Sequence, residues 1–260
     1  MTGQVLLGTD GALATVTLSH PGKFNAMSRA MWRQLREVFT ALQHDSALAC
    51  VRVRGEGGHF CAGGDISEYT GFRFVEASLR DFHEGEVWGG LQAMLDCDLP
   101  IVAQIEGNCL GAGLEIASCC DLRLASDSAR FGAPIAKLGF PMAPREAALV
   151  LRAVGELTAR EMLLAAAVLD AAEMKRRGFL NEVLPAAAVS EAALACAGRI
   201  SRLAPRAARL NKQQFRALAH TERAQEATDL IANAYRYAAT PEHREGVTAF
   251  IEKRPPRFAR

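Results

Sequence analysis

The sequence predicts an α/β protein with a helical C-terminal extension. Strand-like and helix-like runs alternate as far as about residue 186, and every later segment reads as helix. Half of the 260 residues are apolar and 23% are charged, which is ample for a large core. No fixed-period repeat and no low-complexity tract divides the chain, so one large domain, or one domain plus an extension, is expected.

Each element has its own signal. Residues 12–18, ALATVTL, alternate as a strand does and stop at the turn SHPGKFNA. Ser28 has the chemistry of an N-cap. Met31, Leu35, Val38, Phe39 and Leu42 then share one face of a helix reaching about His44. Residues 49–54 read as a second strand and GEGGHFCAGGD as a glycine-rich loop. Asp65 with Glu68 reads as a capping box opening another helix, and 72–96 as mostly helical. LPIVAQIEG is a buried-type strand, followed by a turn and a helix from near Ala112, and CCDLRLAS is a short strand. Helices are expected from Arg145 to about Val154 and over 157–177, the second closed by Gly178. FLNEVLP gives a last strand, and 187–252, rich in Ala and Arg, reads as helical.

Composition narrows the function. The net charge is +1 with both signs interspersed, which argues against a nucleic-acid partner. No apolar run is long enough to span a bilayer, and the N-terminus does not read as a signal peptide. The expectation is a cytoplasmic protein with no membrane partner. Seven cysteines, without CxxC pairs or zinc spacing, read as buried reduced thiols. No metal is expected, and none of the six histidines is assigned to metal or catalysis.

Chemistry concentrates in GNCLGAGLEIASCCD, residues 107–121. Glu115 lies among Leu114, Ile116, Ala117 and Cys119, where a carboxylate is costly to bury. The first N–H groups of a helix lack internal partners, so Ala112 N–H is a candidate donor to an anion. Glu115, three residues on, shares its face of the helix. CAGGD offers a similar donor at Ala62, ahead of Gly63 and Gly64. Two such N–H groups on one carbonyl oxygen form an oxyanion hole. Neither loop is a nucleotide-binding fingerprint. Plain alternatives stand beside these readings: structural glycine turns, Asp65 as a cap, and Glu115 paired with a buried arginine.

A third segment, HPGKFNAMS, joins these two. With FCAGGDI, EGNCLGAGLEIASCCDLRLAS, FGAPIAKLGF and PEHREGVTAFIEKRPPRF, it resembles the crotonase superfamily, the enoyl-CoA hydratase/isomerase family, from about residue 5 to 258. The resemblance implies a crotonase-like spiral of repeated ββα units with a C-terminal helical trimerisation region. The core would span 1–190 and the oligomerisation region 191–260, in a homotrimer or a dimer of trimers. It implies an acyl-CoA thioester substrate, whose coenzyme A is part of the substrate, with no further cofactor. The oxyanion hole would fall on Ala62 and Ala112, and Glu115 would be one of two acid/base glutamates. CoA would run along Lys23, Ala26, Ala62, Gly64, Asp65 and Ile66, with Lys253 toward its phosphates.

The chain departs from this pattern at FGAPI, where Ile135 stands in place of the second glutamate. In PMAPREA, Glu146 is either a helix N-terminal charge or a displaced acid, and Arg145 is a candidate for a substrate carboxylate. The expected reaction is hydration of a 2-enoyl-CoA to a 3-hydroxyacyl-CoA through a stabilised thioester enolate. The alternatives are isomerisation or decarboxylation with one glutamate, and a non-catalytic CoA- or RNA-binding relative. The acyl pocket would draw on 67–90 and the C-terminal helices. Phe72, Phe74, Phe82 and Trp88 line it or fill the core, with the core favoured.

Overall fold

The computed structural model describes residues 2–218 and positions 241, 245, 249, 252, 254, 255 and 257. Strand β1 (Gln4–Asp10) turns at Gly11, φ +54°, into antiparallel β2 (Leu13–Ser19). Ser28 Oγ accepts from Met31 N at 3.2 Å and opens α1 (Arg29–His44), which buries Met31, Trp32, Leu35, Phe39 and Leu42. The chain then adds β3 (Cys50–Gly55), β4 (Ile101–Ile105), β6 (Leu122–Ser126) and β9 (Glu182–Leu184) in parallel to the same sheet. The strand order is β1-β2-β3-β4-β6-β9. Three-residue strands β5 (Asn108–Leu110), β7 (Arg130–Gly132) and β8 (Val168–Asp170) form a smaller sheet.

These elements repeat as turns of a spiral. Each turn has a strand in the large sheet, a short segment in or beside the small sheet, then helix. After β3, Cys61 bridges to Cys109 of β5, and a 3-10 helix (Ile66–Gly71) leads to α2 (Glu76–Asp81), a π-helical stretch (Phe82–Val87) and α3 (Trp88–Asp96). After β4 come β5 and α4 (Ala112–Cys119). After β6 come β7, a 3-10 helix (Pro134–Leu138), α5 (Pro144–Val154) and α6 (Glu156–Leu164). The helical parts differ in length from turn to turn, so no sequence period results.

Side chains alternate across the large sheet with the period of two that strands impose. Ala14, Val16, Val51, Val53, Ile101 and Ala103 join the core that also holds α1 and α3. Leu13, Cys50, Val102 and Leu124 face α8 (Ala186–Ser201) on the other side, against Val189, Cys196 and Ala197. The sequence-based boundary at 190/191 falls inside α8. Helix α9 (Pro205–Leu218) docks through its cations. Arg209 donates to Asp45 O, Lys212 pairs with Asp121 at 2.8 Å, and Arg216 pairs with Asp98 at 2.7 Å. Phe215 and Leu218 stay exposed.

Two expectations change and one holds. The helix expected over 157–177 is split by β8 into α6 and α7 (Ala171–Arg176), because 168–170 pairs along β7 and Asp170 re-caps the chain by accepting from Glu173 N at 2.8 Å. The Asp65–Glu68 capping box does not close. Asp65 accepts from Ser67 N at 3.2 Å, while Glu68 accepts from Arg29 N at 2.8 Å and ties the 3-10 helix to α1. Gly178, φ +85°, ends α7 as its sequence context suggested, and its N–H reaches Lys175 O.

Candidate active site

Main-chain hydrogen bonds join the two glycine turns. Cys61 N donates to Asn108 O at 2.8 Å, and Leu110 N returns a bond to Cys61 O at 2.9 Å. A Cβ on Gly113 would lie 2.4 Å from Cys61 O, so only glycine lets α4 start this close to the neighbouring segment. Residues 63–65 are held from the other side, where Met27 N donates to Gly63 O and Asp65 N to Met27 O, both at 2.8 Å. Behind them, Phe24 and Asn25 adopt the left-handed conformation. The Asn25 side chain pins this turn by donating to Glu56 O and His59 O and accepting from His20 N.

This network decides which donors are free. Ala62 N donates to Phe24 O at 3.0 Å, so the N–H assigned from sequence is already spent. Gly64 N and Ala112 N have no acceptor among the described residues, and both residues line one cavity of about 290 Å³. The donor pair available to a ligand is therefore Gly64 with Ala112, not Ala62 with Ala112. A Cβ on Gly64 would sit 2.2 Å from the Tyr69 hydroxyl, another member of the wall.

Glu115 lies in the first turn of α4, at the same cavity, and is 8% exposed. Its carboxyl makes no hydrogen bond or ion pair with a described residue. Burial pushes its pKa up to about 8, and the nearby charge of Glu146 adds to the rise. The half-buried arginine close to α4, Arg123, is spent elsewhere. Arg123 donates to the carbonyls of Phe179, Ala117 and Cys120, closing the C-terminal end of the helix.

Ile135 lines the cavity, as does His83, which had no role assigned from sequence. His83 sits in the π-helical stretch, and its Nδ1 donates to Glu146 Oε1 at 3.0 Å. With Nδ1 engaged by the carboxylate, Nε2 is the ring nitrogen left to meet a ligand. Glu146 itself is buried behind the wall, in the first turn of α5. It is thus not an acid that enters the site, and it reaches the cavity through His83. A π-helical insertion is a common way to re-aim a side chain at a functional site. That irregularity, and a partner 63 residues away, hid the pair from periodicity.

The residues expected along CoA divide into two groups. Ala62, Gly64 and Ile66 are in the cavity wall. Lys23, Ala26 and Asp65 lie outside it. Lys23 Nζ pairs with Asp65 at 2.6 Å and donates to Ser67 Oγ, while Ala26 is buried and donates its N–H to Lys23 O. Lys253 lies outside the described residues. Arg145 is not in the wall and pairs with Glu84 at 3.2 Å over Trp88. Of the aromatic candidates, Phe72 and Phe82 are buried together with Phe82 in the wall, Trp88 is half-buried, and Phe74 is 84% exposed. The wall also holds Arg73, which the sequence did not single out.

Comparison with known proteins shows the family. The family model described as Enoyl-CoA hydratase/isomerase matches residues 8–260. The Mycobacterium bovis protein named Probable enoyl-CoA hydratase echA8 is 31% identical over 254 residues, covering 98% of this chain and 97% of its own. The crotonyl-CoA hydratase of Syntrophomonas wolfei is 30% identical over 257 residues, covering 98% and 97%. The crystal structure of an enoyl-CoA hydratase/carnithine racemase from Magnetospirillum magneticum superposes with a TM-score of 0.92 at 33% identity, covering 100% of this chain and 96% of that one.

Proposed function

Since the chain belongs to the enoyl-CoA hydratase/isomerase family, whose spiral fold it has, we propose that it hydrates a 2-enoyl-CoA to a 3-hydroxyacyl-CoA. The observation that carries this reading is the meeting, in one cavity, of two unspent main-chain donors, a carboxyl that keeps its proton at neutral pH, and a histidine oriented by a buried carboxylate. The N–H groups of Gly64 and Ala112 receive the thioester oxygen, and their pull grows as charge moves onto it. His83 Nε2 takes a proton from water as the oxygen bonds to C3. Glu115 delivers its proton to C2, and the enolate collapses to the saturated thioester. Water is added whole, and proton exchange between His83 and Glu115 through solvent closes the cycle. Glu146 holds the imidazole and stabilises its protonated form. Coenzyme A enters as part of the substrate along Ala62, Gly64 and Ile66, with Lys23, Ala26 and Asp65 flanking, and this chemistry calls for no other cofactor.

Ile135 supports a second reading, double-bond isomerisation or decarboxylation with Glu115 as the one carboxyl in the wall. Turnover of crotonyl-CoA by wild type, E115Q and H83Q separates the two. Hydration predicts a product heavier by one water and losses of about 10²–10⁴-fold in each variant. No water gained by wild type, with turnover of 3-enoyl or malonyl-type thioesters instead, overturns the hydratase reading. Full activity in H83Q overturns the role of His83.

We also propose a homotrimer or a dimer of trimers, supported by the exposed Phe215 and Leu218 on α9. A cytoplasmic location is supported by seven buried, unpaired thiols. No described helix is long and apolar enough to cross a membrane.

A further inference from the structure

We propose that Arg73 binds a carboxylate at the acyl end of the cavity, so that the preferred thioester carries a second, terminal carboxylate on its acyl chain. This rests on the acyl-CoA reading above and names the substrate class within it.

Arg73 lines the same cavity as Glu115. Its guanidinium lies 3.7 Å from the ring centroid of Phe140 and 4.5 Å from that of Tyr69. Aromatic faces hold a guanidinium plane in place, but they satisfy none of its five edge donors. Arg73 has no hydrogen-bond acceptor for its side chain and no ion-pair partner among the described residues. Nearby arginines differ in this respect. Arg29 and Arg33 share Glu86, Arg80 pairs with Glu76, and Arg145 pairs with Glu84. Burial already lowers the pKa of Arg73, so the charge is held in place at a cost that an anion would offset.

The wall has the right charge for that anion. Glu115 is its one carboxyl and stays protonated at neutral pH, while Arg73 and Lys137 are cationic. Position also fits. Tyr69 packs its hydroxyl against Gly64, and Arg73 follows one turn later, its N–H donating to Tyr69 O at 2.9 Å. The Tyr69 side chain therefore bridges the two ends of the wall, its hydroxyl at the Gly64 N–H donor and its ring centroid 4.5 Å from the planar fork of Arg73. That spacing suits a short acyl chain with the thioester at one end and a carboxylate at the other. A fork of paired N–H groups matches a carboxylate in two-point contact.

The test compares binding of glutaryl-CoA with pentanoyl-CoA, and of adipyl-CoA with hexanoyl-CoA, to wild type, R73Q and R73K by calorimetry. All four thioesters are saturated, so none can be hydrated and the result does not depend on which reaction the chain runs. Wild type is expected to bind the carboxylate-ended member of a pair about tenfold more tightly. R73Q is expected to lose that preference while keeping its affinity for pentanoyl-CoA, and R73K to keep part of it. Equal binding of both members by wild type, a preference that survives in R73Q, or an equal loss of both ligands in R73Q would each overturn the proposal. Binding of none of the four by wild type would overturn it together with the acyl-CoA reading. Failure of crotonyl-CoA to gain water would touch the hydratase reading alone.

Discussion

Glu115 shows how one residue ties stability to chemistry. In the folded chain it keeps its proton to about pH 8, whereas its ordinary pKa is 4.5. Between those values the folded state binds more protons than the unfolded state, so rising pH favours unfolding. Wild type should lose stability across pH 4.5–8, and E115Q should escape that loss. The melting temperatures should be similar at pH 4.5, with the variant higher at pH 8 by about 2–4 °C for each kcal/mol recovered. Parallel curves for the two proteins would show that Glu115 is solvated and would remove its case as a proton donor. Glu115 was legible in the sequence because a lone glutamate in an apolar run, just after three glycines, has few bland explanations. The donor at Gly64 was not legible. Which N–H is spent depends on the carbonyl of Phe24, brought in by a left-handed turn far along the chain. Asp65 and Lys23, read as contacts to CoA, are engaged with each other, and only a folded structure shows that.

The elements were legible where an apolar pattern or a flanking stop marked them. Helix α1, with its Ser28 cap and five-residue apolar face, follows directly from its pattern. So do the long strands of the large sheet that packing buries, except β1, whose burial pattern is mostly exposed. Strands β5, β7 and β8 have three residues each, too few for any periodicity, and are specified by pairing partners instead. The start of α4 is the element on which the site depends most. Substituting Gly113 by Ala would press a methyl group against Cys61 O. We expect G113A to lose about 1–3 kcal/mol in chemical denaturation. It should also lose turnover, because relieving the clash moves Ala112 N–H away from Gly64. A variant with reduced stability but unchanged kcat would show that the two donors are not coupled through this contact.

At the scale of the whole molecule, sequence motifs identified the spiral through its family likeness, while its repeats exist in space only. Helix α9 fastens to the core by Arg209, Lys212 and Arg216 and turns Phe215 and Leu218 outward, the reverse of an ordinary surface helix. Apolar side chains so placed favour association. Light scattering of purified protein should give a mass of three or six copies of the 28.0 kDa chain. A single copy at micromolar concentration would overturn the trimer. The pair of donors at Gly64 and Ala112 has a broader consequence. Both are peptide groups, so any residue but proline supplies the N–H, although at Gly64 a side chain would first have to displace the Tyr69 hydroxyl. What a gene can readily rewrite here is the surrounding furniture: Glu115, Ile135, His83 and Arg73. In the proposed reaction the carbonyl-binding element is carried by the shape of two turns, so one chain architecture can exchange reactions and substrates while the activation of the thioester persists.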